Sequence, residues 1–262
     1  MNLPQLLEAR YGKPHLSYSS LKQSLEDIAR FDAYMKKEIT YKSDALDFGT
    51  MYDMLLFERD KAMETYTIVD HEYILERCSA ATQSTKAPKA TKEYKEIKEA
   101  IENDLTANGK VLCNPDDWKT ANDMIDRLHT CGITKEYFAG DYQVPIMKNI
   151  LDIKVKGFID CWDKDRAMVV DSKSTRSISG FRYDVGKLSY DIQAYLYMQA
   201  TSAKEFYWVA QEKDYPYLPA VVKCSEETLF KGEMKTRAAI ARIKDFLKNN
   251  TDPKSDFVTY EV

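Results

Sequence analysis

Two aspartates and a lysine stand close together between Leu151 and Lys173, LDIKVKGFIDCWDKDRAMVVDSK. Strand side chains alternate between faces, so Lys154, Lys156, Phe158 and Asp160 share one face of a first run and Ile153, Val155, Ile159 and Cys161 share the other. In a second run, Ala167 to Lys173, the same period groups Val169, Asp171 and Lys173, with Met168, Val170 and Ser172 opposite. The polar Asp163-Lys164-Asp165 between the runs reads as a turn, so the runs pair antiparallel and bring Asp160 near Asp171. Hard cations such as Mg²⁺ take carboxylate and carbonyl oxygens and are commonly held by one or two protein carboxylates beside a substrate phosphate. Asp160 and Asp171 meet that demand, and the Ser172 carbonyl adds a neutral ligand. Lys173 stands where it can orient or deprotonate a water and stabilise developing phosphate charge. The plainer reading of the same residues is a surface Asp/Lys ion pair, which an Asp-x-Lys triplet alone does not exclude.

Other elements must position this hairpin. Ser189 to Ala203 reads as a helix with Tyr190, Gln193 and Tyr197 on one face at i, i+3 and i+7, a polar face suited to a polar ligand or to ordinary amphipathic packing. A helix signalled at Ser43-Asp44 carries Leu46, Gly49, Asp53 and Leu56 on one stripe. A carboxylate on such a stripe is expensive to bury without a cation or donors, so Asp53 is either a solvated aspartate or a further metal ligand. With Asp53 added, two metals fit, the clamp used on the attacking and leaving oxygens in phosphodiester hydrolysis.

The first helix is expected from a Ser20/Gln23 capping box to about Lys37. Residues 76–131 read as a helical and loop insertion. In it SAATQSTKAP has the composition of a mobile loop, and Lys86, Lys89, Lys92, Lys95 and Lys98 read as a solvated helix face or, alternatively, as contacts to a phosphate backbone. A helix from about Asp116 to Leu128, a helix at 133–138, strands at Tyr142–Met147, Glu205–Gln211 and Leu218–Lys223, and a long last helix from Ser225 complete the order. At 262 residues and 44% hydrophobic residues the chain is expected to form a single domain, with its catalytic core at about 133–225.

No run of about 18 apolar residues occurs and the N-terminus lacks a secretory pattern, so a soluble, cytoplasmic protein without membrane contact is expected. Five scattered cysteines without a CxxC pair suggest neither a disulfide framework nor a zinc ribbon. The net charge of −4 excludes a chain coated in nucleic acid but leaves room for a local basic groove.

Asp160, the Asp171-Ser172-Lys173 triplet and the Gln193-x-x-x-Tyr197 helix together resemble the PD-(D/E)xK nuclease superfamily. The blocks LSYSSLK, DALDFGTMYDMLLFE and VKGFID…VVDSKST…YDIQAYLY are similar to the RecE-type exonucleases (exodeoxyribonuclease VIII), often phage-encoded and related to RecB nuclease domains and lambda exonuclease. The resemblance implies an α/β restriction-endonuclease-like core, a central mixed sheet flanked by helices, behind an N-terminal helical segment. It implies Asp160, Asp171 and the Ser172 carbonyl as ligands of Mg²⁺, with Mn²⁺ able to substitute. Lys173 becomes the catalytic lysine, and Gln193 and Tyr197 active-site or DNA contacts. It further implies hydrolysis of linear double-stranded DNA from its ends, 5′ to 3′, by a ring-like homo-oligomer working with a single-strand annealing protein in recombination. Lys154, Lys156, Arg176, Arg182 and Lys187 are the candidate phosphate contacts. The chain departs from the family in two places: Asp53 stands where a histidine is usual, and Ile159 precedes Asp160 in place of proline. Two other readings stay open, a structure-specific or single-strand endonuclease on the same fold, and a DNA-binding or assembly protein whose site has lapsed.

Overall fold

A computed structural model of the protein describes residues 1–40 and 43–249. Its contacts divide the chain into two compact units, Met1–Lys42 with Gly132–Val262, and Ser43–Cys131. In chain order the elements are α1 (Leu3–Tyr11), β1 (His15–Leu16), α2 (Tyr18–Glu26), α3 (Ile28–Met35), α4 (Asp44–Phe57) and α5 (Arg59–Thr65). Then come β2 (Tyr66–Ile68), α6 (His71–Leu75), α7 (Ala80–Gln83), a 3-10 turn at Pro88–Ala90, α8 (Lys92–Ala107), β3 (Val111–Cys113), α9 (Pro115–Thr130) and α10 (Ile133–Tyr137). The remainder is β4 (Asp141–Ile150), β5 (Ile153–Asp163), β6 (Met168–Thr175), α11 (Ile178–Lys187), α12 (Tyr190–Thr201), β7 (Glu205–Glu212), β8 (Pro219–Lys223) and α13 (Glu226–Asn249).

The first unit holds a six-stranded mixed sheet in the order β1-β5-β6-β7-β8, with β4 also on β5. β6 and β7 run parallel, whereas β4–β5, β5–β6 and β7–β8 are antiparallel. β4 pairs β5 along nearly its whole length. The other edge of β5 is therefore shared, by β1 at Lys154 and Val155 and by β6 at Cys161 to Asp163. Between those two partners no strand among the described residues pairs with this edge of β5. The expected alternation holds on β5, where Ile153, Val155, Ile159 and Cys161 are buried and Lys154, Lys156 and Phe158 are exposed.

The apolar residues of β5, β6 and β7 join Leu21 and Phe31 of α2 and α3, Ile192 and Leu196 of α12, and Ile243 of α13 in one core. α12 is pinned at its start, because Asp191 is buried and ion-paired with Lys235 at 2.7 Å, and Lys235 also donates to the Gly186 carbonyl at 2.9 Å. α13 reaches α12 this closely only because position 232 is glycine: a Cβ there would lie 2.1 Å from the Asp191 carbonyl oxygen. Gly232→Ala is expected to push the two helices apart and lower stability by about 1–3 kcal/mol, read as a lower urea midpoint.

Several local expectations change. The N-terminal helix starts on a Ser17 cap whose box partner is Ser20, and it is not continuous: Asp27 accepts from the backbone N–H groups of Ala29 and Arg30 and starts α3 as a separate helix. α1, held by an Asn2/Gln5 capping box, and α11 were not anticipated.

The second unit contains α4 to α9 and a two-stranded parallel sheet, β2 on β3. The buried side of α4 is Phe48, Met51, Tyr52 and Leu55, while Leu46 is 53% exposed, so the stripe drawn through Leu46, Gly49, Asp53 and Leu56 is not its core face. Both sets fit a 3.6-residue period, and the one with the larger side chains is buried. The expected loop at 79–88 contains the short helix α7, tied down by Glu93, which accepts from Ser79 and Thr82. On α8, Lys92 and Lys98 pair with Glu96 and Glu102 one turn on, as a solvated helix face does.

Candidate metal and phosphodiester site

Register explains why Asp160 and Asp171 meet. With Cys161 opposite Val170, the next position in the antiparallel register sets Asp160 opposite Asp171. The backbone ladder stops there, and the Ser172 N–H donates to Asp160 Oδ2 at 2.9 Å. Within a strand the N–H and C=O of one residue point to the same edge. The Ser172 carbonyl therefore faces the Asp160 side of β6, where it accepts from Lys173 Nζ at 3.1 Å.

The opposite edge of β5 is disturbed at the same residue. Every β4 position from Asp141 to Ile150 pairs with β5 except Gln143, whose place in the register is across from Asp160. Gln143 has φ 47°, a left-handed conformation for a residue inside a strand, and its Nε2 donates to Asp160 Oδ1 at 3.5 Å, the outer limit of a hydrogen bond. Such strain persists only where its surroundings enforce it and concentrates at functional sites. Asp160 thus sits where β5 is released from its neighbours on both edges. Gln143 was missed in the sequence because a positive φ in mid-strand leaves no trace in residue type or spacing.

Asp171 is fully buried. Its Oδ2 is ion-paired with Lys173, and its Oδ1 accepts from Gln193 Nε2 at 2.7 Å. Burial pushes the Asp171 carboxyl up to about 7, with the Lys173 ammonium pulling it down and the Asp160 carboxylate adding to the rise. Asp160 is shifted upward as well, again chiefly by burial and against the pull of Lys173. Two carboxyl groups held up in this way are a site short of positive charge. Among the described residues Gln193 Oε1 is buried without a hydrogen-bond partner, and Asp171 Oδ2 is ion-paired with Lys173.

The wall around this pair is aromatic. The Lys173 ammonium lies 5.2 Å from the centre of the Tyr190 ring. Tyr197 is buried, which raises its phenol, and Asp171 and Asp160 act on it in the same direction. Its ring occupies the space beside Gly157, where a Cβ would come within 3.0 Å of Cε1. Tyr18, the first residue of α2, donates to the Leu188 carbonyl at 2.6 Å, and its phenol is raised by burial within the field of Lys173 and Asp171. Tyr18 lies within the block LSYSSLK, although its spacing alone marked it only as helix entry.

Asp160, Asp171, Ser172, Lys173, Gln193 and Tyr197 therefore converge. Lys154 and Lys156 are exposed on β5 at six and four residues before Asp160, about 20 and 13 Å along the strand. Arg176 follows β6, and Arg182 and Lys187 lie exposed on α11, Arg182 donating to the Tyr183 hydroxyl at 2.7 Å. Asp53 is half-buried on α4, in the other unit.

The donor chemistry fits a hard divalent cation: two carboxylates, one backbone carbonyl and no sulfur or imidazole. Among the described residues no cluster of three or more His, Cys, Asp or Glu side chains offers a fuller cage, and Mg²⁺ characteristically does without one. Gln193 touches this donor set through its hydrogen bond to Asp171 Oδ1. Gln193→Ala is expected to weaken Mg²⁺ binding about 10- to 100-fold, the usual effect of removing a group that orients a ligand, read by calorimetric titration of the metal.

The sequence matches, over residues 17–258, the model of a PDDEXK-like domain of unknown function (DUF3799). The chain belongs to this family. Among solved structures it resembles one described as "Putative exonuclease" from Eubacterium rectale, with a TM-score of 0.63 at 15% identity over 98% of this chain and 92% of that one. A phage related exonuclease from Haemophilus somnus 129PT is also similar, with a TM-score of 0.33 at 13% identity over 64% of this chain and 90% of that one. No curated protein matches. The central mixed sheet flanked by helices is the PDDEXK-like fold. Among the described residues no helix is long and apolar enough to cross a membrane.

Proposed function

We propose that this PDDEXK-like protein is a divalent-metal-dependent deoxyribonuclease that shortens linear double-stranded DNA from its ends, 5′ to 3′, and leaves a single strand for recombination. The observation that carries the reading is the convergence of Asp160, Asp171 and Lys173 at the point where β5 and β6 part, with the Ser172 carbonyl turned to the same edge. The end preference, the polarity, a ring-shaped homo-oligomer, an annealing-protein partner and action in the cytoplasm of a bacterial host rest on the resemblance to RecE-type exonucleases.

Asp160, Asp171 and the Ser172 carbonyl would hold Mg²⁺ or Mn²⁺. A bound cation supplies Lewis acidity and positive charge at the scissile phosphate. The protein's own part is orientation and charge. Gln193 holds Asp171 Oδ1, which leaves Oδ2, ion-paired with Lys173, as the oxygen that would be offered to a cation. The Ser172 N–H fixes Asp160 Oδ2, and Gln143 steadies the other oxygen. Lys173 orients the attacking water and offers its ammonium to the negative charge that develops on the phosphate oxygens. Tyr18, Tyr190 and Tyr197 crowd the lysine and the carboxylates on their protein side and strengthen these electrostatic interactions by excluding water.

End-labelled linear duplex and covalently closed circular duplex, each incubated with Mg²⁺ or Mn²⁺, test the reading. The linear molecule is expected to lose its 5′ label first while the circle survives, and excess EDTA stops the reaction. Cutting of the circle would overturn the exonuclease assignment in favour of an endonuclease on the same site.

A further inference from the structure

The exposed face of the β4–β5 ribbon has a composition that the hydrolytic site does not use. Phe158 and Met147 are each 52% exposed, where strand residues of their kind are ordinarily covered. The register sets Met147 directly across from Lys156, and Phe158 is one diagonal step away on the same face, a distance aromatic side chains can span. Lys154 and Lys156 alternate with Phe158 along β5, and among the described residues neither forms an ion pair with a carboxylate. β1 extends the positive region: His15 lies beside Lys154 in the parallel register, and after burial the charges that most depress its proton affinity are those of Lys156 and Lys13. A chain with a net charge of −4 thus sets Lys154 and Lys156 beside two exposed apolar side chains, while Lys13, near His15, donates to the Met35 carbonyl at 3.4 Å.

We infer that this face is a binding platform for single-stranded DNA, on which bases stack against Phe158 and Met147 while phosphates follow Lys154 and Lys156. Interleaved cations and stacking side chains on an open sheet suit a single strand, because an aromatic ring can stack only on a base that has lost its partner. A duplex would present phosphates to the lysines and leave Phe158 with no base to cover it. Phe158 is two residues, about 7 Å, from Asp160 along the strand, so the platform adjoins the hydrolytic site without belonging to it. The choice of DNA rests on the proposed nuclease function. The stacking and charge argument does not.

Fluorescence anisotropy of the full chain in EDTA, with labelled oligodeoxythymidine and a duplex of equal length, decides the matter independently of hydrolysis. Phe158→Ala is expected to weaken single-strand binding about 5- to 150-fold, with Phe158→Trp retaining it, since one base stack is worth about 1–3 kcal/mol. Duplex affinity should change little in both. The double variant Lys154→Gln/Lys156→Gln is expected to reduce the slope of log affinity against log salt by about 1.4, two phosphate contacts on a single strand. Unchanged single-strand affinity in Phe158→Ala overturns the proposal. So does sedimentation showing that Phe158→Ala separates an oligomer while single-strand affinity stays the same, which would make this face a contact between copies of the chain. If wild type degrades no DNA with Mg²⁺ yet the binding losses appear, the nuclease reading falls and the platform stands.

Discussion

Asp171→Asn is expected to abolish DNA hydrolysis while leaving the metal-free fold intact. The amide keeps the side-chain volume and an oxygen for Gln193 Nε2, which now donates to Asp171 Oδ1 at 2.7 Å. It removes a buried carboxyl whose burial raises it to about 7, so the metal-free protein is relieved of a group that is costly to ionise. The negative charge that would bind Mg²⁺ is lost with it. Changes one shell out from a metal lower affinity or activity about 10- to 100-fold, so loss of a ligand itself should lower the rate by at least about 10³-fold. Thermal unfolding provides the second readout. A ligand at 100 times its dissociation constant stabilises the folded state by about 2.7 kcal/mol, so Mg²⁺ should raise the melting temperature of wild type and leave that of Asp171→Asn unmoved.

Lys173→Ala should give the opposite pattern. The ammonium is paired with Asp171 and donates to the Ser172 carbonyl, both oxygens assigned to the cation. Removing it leaves those oxygens available, so the Mg²⁺-induced rise in melting temperature should persist or grow. The rate should nevertheless fall about 10²- to 10⁴-fold, the usual worth of a positioned proton-handling group, and the loss should appear in kcat. Lys173→Arg is expected to restore little, because a planar guanidinium does not occupy the position of a compact ammonium. Together the two variants separate holding the cation from serving the water. A single inactive variant would not.

Much of this site was legible in the sequence because it is built on a half-buried hairpin, where period-two burial fixes which side chains face each other. Val169, Asp171 and Lys173 alternate with Val170 and Ser172, but a turn at Asp163 to Asp165 sets the register short: Asp163 stays in β5 opposite Met168 and the connection is Lys164 to Ala167, which is what brings Asp160 opposite Asp171. The helix with Gln193 was legible for a similar reason, a face of polar residues in a segment that is otherwise apolar. The strain at Gln143 was not, since it resides in the backbone. α11 escaped because Gly180 and Gly186 weaken its helical signal, and only Phe181 and Val185, buried one turn apart, mark a core face. The break at Asp27 was readable as a cap but hidden by an amphipathic pattern that runs on through it. On α4 two stripes satisfied the same period, and spacing could not choose between them.

The most direct measurement is the initial rate at which purified protein with Mg²⁺ degrades an end-labelled linear duplex, taken side by side for wild type, Asp171→Asn and Lys173→Ala. Degradation by wild type alone, with both variants at least about 10²-fold slower, is the result expected when these residues hold the cation and serve the water. Degradation by Lys173→Ala at the wild-type rate, or no degradation by wild type with either Mg²⁺ or Mn²⁺, would contradict it.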